Sequence, residues 1–309
     1  MKAVLNVSSS PHIRHNDSTS GIMIDVIIAL MFSSVYGCII FGVYAAAVLL
    51  TCVVSAVLSE FVWNRLLKKP DSVFDFSAVV TGLLLGLNLP PRIPLWIAAI
   101  GSMVAIIVVK QMFGGIGCNF VNPAISARIV LLVSFPGLMT EFYEPIYDTV
   151  TSATPLVAES GTYSLKTLFF GMHSGCIGET SALLLIVGGV YLVIRRVISP
   201  IIPVCFIATL AALTAVTGGN GAEAVLSGGV MIGAIFMATD YTTSPTTSAG
   251  KVVFGIGCGL ITFVIRRYSA MPEGVSYAVL LMNILVSYIN RFTLSRPFGF
   301  VLKKREANV

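Results

Sequence analysis

Long apolar runs recur along the whole 309-residue chain, and they restrict its fold more than any other feature. A run of about 20 apolar residues can cross the hydrocarbon core of a bilayer as an α-helix. Charged residues make up only 11% of the sequence, against roughly 25% in soluble domains. We therefore predict an all-α polytopic membrane protein with about ten transmembrane helices, at residues 21–41, 43–63, 76–91, 93–112, 120–136, 180–197, 200–217, 225–241, 250–265 and 274–291.

The two halves of the chain resemble each other. TG (81–82) and NFVNPA (119–124) in the first half have counterparts in SG (227–228) and EGVSYA (273–278) in the second. Five helices per half is an odd number, so we predict two inverted five-helix repeats, residues 21–136 and 180–291. The third, fifth, eighth and ninth helices are predicted to be short or broken, because Gly, Pro or Asn interrupts or borders them. In inverted-repeat membrane proteins, broken helices of this kind form a site near the midplane.

The positions of Lys and Arg predict the orientation in the membrane. With the N-terminal segment (1–20) and the C-terminal tail (292–309) in the cytoplasm, fifteen of the 19 basic residues, including Lys110 and Arg128, lie at or near the inner side. The loop 137–179 then lies outside the cytoplasm, and we place the chain in the cytoplasmic membrane. The net charge of +5 is explained by this topology, so nucleic acid is not an expected partner, whereas the lipid bilayer is.

The predicted outer loop carries a run of hydroxyl side chains, DTVTSAT (148–154), followed by Pro155. A threonine hydroxyl is a weak nucleophile without a base, and the nearest histidine, His173, is 19 residues beyond Thr154. A hydrolase is therefore disfavoured. Small neighbours and a proline that keeps Thr154 extended fit either an acceptor for a group attached by another enzyme or a plain solvated linker.

The same run resembles the flavin-attachment motif of the RnfD/NqrB family. That motif has an acidic residue, two variable residues, Ser or Thr, two small residues and an acceptor Thr, here Asp148, Thr151, Ser152 and Thr154 among residues 148–154. The family usually has Gly where this chain has Ser152. SSSPHIRHNDSTSGIMIDVIIAL (8–30), FGGIGCNFVNPA (113–124) and FMATDYTTSP (236–245) are similar to other segments of the family. Length and helix number suit the D-type member of Rnf complexes.

The resemblance implies a function. A flavin transferase would join FMN through its phosphate to Thr154, outside the cytoplasm, with Asp148, Thr151 and Ser152 in the attachment motif. The chain would then carry electrons within an Rnf complex, which couples electron transfer between ferredoxin and NAD to Na⁺ or H⁺ transport. The other Rnf subunits would be its partners and would hold the NAD and ferredoxin sites. Related subunits also hold a second, non-covalent flavin such as riboflavin.

Three polar residues in the apolar segments are candidates for an ion site or a second-flavin site, namely Asn122, Asp240 and Asp25. Acidic residues inside a membrane are costly and often functional. The alternatives are structural: Asp25 and Asp240 are also suited to capping a helix or joining an ion pair near the interface. Asn122, followed by Pro, is suited to starting a helix.

The remaining patterns favour packing over chemistry. Gly82 with Gly86 and Gly229 with Gly233 predict close helix contacts. The six cysteines are predicted to be small apolar residues, and the histidines, His12, His15 and His173, are predicted to lie at the surface. The alternative function is a solute channel or transporter of inverted-repeat fold without a redox cofactor.

Overall fold

The computed structural model describes residues 18–69, 72–143, 164–179, 181–269 and 273–294, and the regular secondary structure of these residues is helical. The first half contains α1 (Thr19–Phe41), α2 (Val43–Leu66), α3 (Ser77–Leu87), α4 (Leu95–Met103, continued by π-helical turns Val104–Gln111), α5 (Pro123–Ser134) and α6 (Pro136–Met139). The segment between the halves contains α7 (Leu165–Phe170). The second half contains α8 (Ala182–Ile194), α9 (Ile201–Val216), α10 (Gly221–Leu226), α11 (Val230–Ile232, continued by π-helical turns Gly233–Met237), α12 (Ser248–Tyr268) and α13 (Val275–Thr293). Short 3₁₀ turns occupy Val73–Asp75 and Ile177–Glu179.

Four of these helices, α1, α2, α12 and α13, are long and apolar enough to cross a membrane, judged by length and composition. Five shorter apolar helices accompany them, namely α3, α4 with its extension, α5, α8 and α9. Large apolar side chains such as Ile39, Leu50 and Tyr288 remain exposed on the long helices. Such a surface suits lipid rather than water, and the predicted class of all-α polytopic membrane protein is confirmed.

The predicted helix boundaries agree with the structure for most segments and differ clearly at the ninth. The sequence predicts a short segment there, at residues 250–265, but α12 has 21 residues and continues through Arg266. Burial of its arginine explains the extension, because the Arg266 guanidinium donates to the carbonyls of Ala224 (2.6 Å) and Ser227 (3.1 Å). The eighth segment is broken, as predicted, and residues 227–229 separate α10 from α11.

Glycines allow close helix packing in both halves. An added Cβ at Gly82 would lie 2.7 Å from the carbonyl oxygen of Cys52, so α3 packs directly on the backbone of α2. Gly259 of α12 would meet the carbonyl oxygen of Phe206 at 2.9 Å, which gives the same close approach between α12 and α9. The prediction of close packing is confirmed for Gly82. In the second GxxxG pair, an added Cβ at Gly233 would overlap the Val275 side chain of α13, so close packing is confirmed there too. Gly229 is different, because it precedes α11 and borders the Glu179 carboxylate.

The two halves meet along α1 with α8 and along α5 with α13. These are the first and the last apolar helices of each half, so corresponding elements face each other across the junction. The inversion of the halves relative to the membrane and the proposed domain boundaries stay predictions. Buried polar side chains such as Asn122 and Arg128 connect the two halves at this junction, and the candidate site lies there.

Candidate functional site

The start of α5 fixes one wall of the junction. Asn122 caps this helix, because its Oδ1 accepts from the backbone N–H groups of Ala124 (3.0 Å) and Ile125 (3.3 Å), and Pro123 occupies the first turn. Its Nδ2 also donates to the carbonyl oxygen of Met237 (3.2 Å), where the π-helical turns after α11 end. The predicted capping role of Asn122 is confirmed, and the same side chain joins the two halves.

A cavity of about 370 Å³ opens beside this cap. Its lining is mainly apolar and includes Ile22, Val80 and Phe236. The lining residues come chiefly from α1, α3, the segment that leads into α5 and the segment that follows α11. Its polar lining residues are Thr19, Ser77, Thr81, Lys110, Asn119, Asn122, Thr239, Asp240, Tyr241 and Thr242. Apolar walls with a few polar groups are typical of sites for small organic molecules, whose pockets have volumes of roughly 300–1,000 Å³.

A buried ion pair lies at this cavity. The Lys110 Nζ lies 3.0 Å from both carboxylate oxygens of Glu60 and donates to the Ser77 hydroxyl at 2.7 Å. Glu60 also accepts from Gln111 (2.8 Å) and Ser72 (2.6 Å), so its carboxylate is well supplied with donors. The Lys110 and Glu60 side chains are 4% and 1% exposed. Lys110 therefore adds a polar group to the cavity wall, and the Glu60 carboxylate neutralises its positive charge.

The structure brings two of the three predicted polar candidates to the cavity. Asn122 and Asp240 both line it, and the Asp240 carboxylate accepts from the hydroxyls of Thr242 (3.0 Å) and Thr243 (3.1 Å). Asp25 is not among the lining residues. Its carboxylate accepts from the Tyr191 hydroxyl (2.8 Å) and pairs with Arg195 (3.1 Å), so it has the ion-pair role that was the structural alternative.

A second polar cluster surrounds Arg128, six residues after Asn122 on α5. The guanidinium contacts the Glu273 carboxylate (2.6 Å), the Asn88 side-chain oxygen (2.8 Å) and the Cys176 sulfur (3.3 Å), and it lies 3.9 Å from Glu179. These partners come from the end of α3, the 3₁₀ turn and the segment before α13. Arg128 therefore ties both halves together at a second point.

One prediction from sequence is wrong at these sites, and another stays untested. Lys110 and Arg128, interpreted as charges that mark the cytoplasmic side, are each only 3% exposed and serve as partners of buried carboxylates, while the side of the membrane on which they lie stays a prediction. His173, predicted at the surface, is 2% exposed. Its burial lowers the pKa of the imidazole below the ordinary value, and its Nδ1 lies 3.1 Å from the carbonyl oxygen of Ser174. His12 and His15 lie outside the described residues.

The charged pairs were missed because each partner is far from the other in sequence. The available signal was a charged residue inside an apolar run, at Glu60, Lys110 and Arg128, since such residues are rare and normally paired. The six cysteines are free, and Cys52 and Cys258 are buried as small apolar residues would be, whereas the buried Cys176 sulfur contacts the Arg128 guanidinium. The flavin-attachment motif with Asp148, Thr151, Ser152 and Thr154 lies outside the described residues.

Comparison with known proteins gives the family. A family model described as the NQR2, RnfD, RnfE family matches residues 6–299. The chain is 50% identical to the D component of the Na⁺-translocating ferredoxin:NAD⁺ oxidoreductase complex of Acetobacterium woodii, over 98% of each chain. It is 40% identical to the D component of the proton-translocating ferredoxin:NAD⁺ oxidoreductase complex of Clostridium ljungdahlii, over 96% of this chain and 97% of that protein. It is 38% identical to the D component of the ion-translocating oxidoreductase complex of Stutzerimonas stutzeri, over 91% of this chain and 92% of that protein. The chain therefore belongs to the NQR2, RnfD, RnfE family.

Proposed function

We propose that this chain is the flavin-carrying RnfD component of an Rnf complex, an ion-translocating ferredoxin:NAD oxidoreductase of the cytoplasmic membrane. Electrons pass through FMN joined by a phosphoester to Thr154, and this transfer contributes to coupling with ion transport. One observation carries the proposal: the acceptor motif at 148–154 stands in a chain whose family match spans residues 6–299. The named relatives include a sodium-translocating and a proton-translocating complex, so the proposal covers both ions.

The covalent link has a physical advantage at the edge of a membrane. Attachment through the phosphate holds the redox ring near its electron partners and prevents loss of the carrier, while the protein sets the redox potential through contacts to the ring. A dedicated flavin transferase supplies the cofactor, because no histidine stands near Thr154 in the sequence to activate its hydroxyl. The termini of the chain would be cytoplasmic and the acceptor loop would lie outside.

The attachment is tested by making the protein with and without a flavin transferase. Wild-type protein should show in-gel flavin fluorescence under denaturing conditions, and its intact mass should rise by roughly 438 Da, the mass of FMN less water. Thr154→Ala should lose both signals, whereas the neighbouring Thr149→Ala should keep them. Fluorescence that persists in Thr154→Ala, or is missing from wild type beside an active transferase, would exclude this acceptor.

We extend the proposal to a second, non-covalent flavin in the cavity beside Asn122. The size of the cavity and its mainly apolar walls fit a flat aromatic heterocycle, which would supply a second redox step when bound. Val80 and Phe236 would contact the ring plane, while Thr81, Asn119 and Asn122 offer hydrogen-bonding groups toward a polar edge. Asp240 remains a candidate for binding a cation or the polar edge of this ligand. A net positive charge suited to a phosphate group is missing from the described lining.

Filling the cavity tests this second site. Ile22→Trp adds bulk to the cavity wall on α1, so non-covalent flavin released by denaturation from the purified complex should fall. Ile24→Trp makes the same change on the same helix at a side chain that is 42% exposed, and flavin content should be unchanged. Unaltered flavin in an assembled Ile22→Trp complex would show that the cavity does not hold it.

The solute channel or transporter has weaker support. An inverted repeat and broken helices would suit a transporter as well as a redox protein. The named relatives, however, are components of oxidoreductase complexes, and the acceptor motif has no role in solute transport. We therefore retain the redox function.

A further inference from the structure

The buried cluster around Arg128 contains more carboxylate than its direct contacts neutralise. One oxygen of Glu179, one oxygen of Glu273 and the Cys176 sulfur lie within 4.8 Å of one another. Among the described residues, Arg128 is the cation that contacts this pair, and it does so unequally, at 2.6 Å from Glu273 and 3.9 Å from Glu179. We refer to Glu179 and Glu273 as the carboxylate pair.

The two oxygens of Glu179 are unequally satisfied. Its Oε2 accepts from the backbone N–H of Cys176 at 3.3 Å. Its Oε1 is buried and has no hydrogen-bond donor within the part of the chain that the structure describes. The Glu179 side chain is 5% exposed, so bulk water does not provide an easy substitute. A buried carboxylate oxygen in this situation is costly as long as the group stays ionised.

Glycines create the slot that holds this carboxylate. A Cβ added at Gly175 would lie 2.8 Å from Glu179 Oε2, and one added at Gly229 would lie 3.2 Å from Oε1. The side chain is therefore held between two backbone segments, from the loop before α8 and from the break between α10 and α11. This fixed position keeps Glu179 close to Glu273 instead of allowing it to turn toward a donor.

A second arginine acts on the pair without contacting it. Arg266 is close enough to attract both carboxylates, but its described hydrogen bonds go to the carbonyls of Ala224 and Ser227. The remaining titratable neighbours from the packed elements are His173, Cys176 and Tyr277. A metal ion is disfavoured, because the Arg128 guanidinium already occupies the space beside Glu273 and would repel another cation.

We propose that the Glu179–Glu273 carboxylate pair is a proton-binding site, holding one exchangeable proton at the junction of the two halves. Two carboxylates that share a site do not both ionise easily, and their protons belong to the pair rather than to one residue. A proton from water forms an O–H bond on one carboxylate, which becomes neutral and can donate to the other. Release returns the proton to water, and no electron changes hands.

The proposal stands independently of the flavin sites, since it uses only residues outside them. Glu179 ends the 3₁₀ turn before α8, Glu273 precedes α13, and Arg128 belongs to α5. Binding of the proton changes the charge that faces Arg128 and thereby the attraction between the two halves. The site is therefore placed to respond to movement of one half against the other.

Infrared spectroscopy of the purified complex tests for the proton. The wild-type complex should show a protonated-carboxyl band that shifts in D₂O and disappears at high pH. Glu179→Gln and Glu273→Gln should each remove the same band component, and the double variant should remove no more than either single variant. Asp25→Asn changes a carboxylate that pairs with Arg195 and should leave the component in place.

The outcomes separate a proton site from a structural cluster. A purely structural role predicts variants with lower stability and an unchanged band, which would overturn the proposal. Two different components that are lost additively would overturn the shared proton. If Glu273→Gln prevents assembly by breaking the contact with Arg128, the infrared band of the Glu179→Gln complex tests the proposal by itself. Glu179 has the weaker contact with the arginine, so this variant should still assemble.

Discussion

The buried pair between Lys110 and Glu60 provides a direct test of how charges are accommodated in this apolar core. Both side chains are nearly inaccessible, and Lys110 Nζ lies 3.0 Å from each Glu60 oxygen. Lys110→Met keeps most of the length and apolar stem of the side chain but removes its charge. The Glu60 carboxylate then stays buried without a cation in contact.

The expected loss of unfolding free energy in Lys110→Met depends on the hydrogen-bond donors that Glu60 keeps. Removing one partner of a buried ion pair costs about 3–5 kcal/mol, because the other charge is left uncompensated. Glu60 keeps the hydrogen bonds from Gln111 (2.8 Å) and Ser72 (2.6 Å), so we expect about 3 kcal/mol, the lower end of that range. The double variant Glu60→Gln/Lys110→Met has no buried charge without a partner, so most of the lost stability should return. Its free energy of unfolding should be less than about 1.5 kcal/mol below that of the wild type.

The free energy of unfolding can be measured by denaturant titration in mild detergent, with Trp63 and Trp96 as fluorescent reporters. Lys69→Met is the matched control, because Lys69 is exposed and exposed substitutions usually change stability by less than about 0.5 kcal/mol. A Lys110→Met variant as stable as this control, or a double variant no more stable than Lys110→Met, would refute the reasoning.

Two further predictions concern packing and pH. Gly82→Ala should lower the free energy of unfolding by about 1–3 kcal/mol, because the new methyl group meets the Cys52 carbonyl of α2. Gly137→Ala is the control and should change the unfolding free energy little, because no atom lies within 4 Å of the added Cβ. Equal effects of the two substitutions would contradict close packing. Burial lowers the pKa of His173, so the unfolded chain binds its proton more readily, and stability should fall as the pH drops below about 6.5, the ordinary pKa of histidine. His173→Gln should remove this part of the acid sensitivity when Tm is measured against pH, and an unchanged profile would exclude a buried neutral imidazole.

Apolar runs and helix breakers predicted most of the fold because they act locally. The lengths of α1, α2 and α13 follow from long, mainly apolar sequence, and Asn122 with Pro123 marks the start of α5 through local capping geometry. The end of α12 was not predictable in this way. Arg266 looks like a terminating charge in the sequence, but carbonyls of residues about 40 positions away bind it in the fold.

The polar sites were only partly predictable because their partners are distant in sequence. Asn122 and Asp240 could be identified as candidates from their apolar surroundings, yet only the fold shows that they share a cavity. Asp25 has the same sequence signal but forms an ion pair with Arg195 instead. Lys110 and Arg128 were interpreted by their charge alone, and their carboxylate partners lie 50 residues away for Lys110 and 145 for the Arg128 contact with Glu273. A positive charge in an apolar run therefore predicts a partner more securely than it predicts a side of the membrane.

The cavity and the Arg128 cluster are connected through the side chains between them. Asn122 donates to the Met237 carbonyl, Asn88 approaches the Met237 sulfur at 3.7 Å, and Arg128 donates to the Asn88 oxygen. Asn122 and Arg128 are separated by six residues of one helix, about 9 Å along its axis, so the two sites share a rigid wall. Met237 belongs to the second half and contacts both asparagines from the first. A shift of one half against the other would therefore alter the lining of the cavity and the charge environment of the carboxylate pair together, which is the physical requirement for coupling a ligand in one site to a proton in the other.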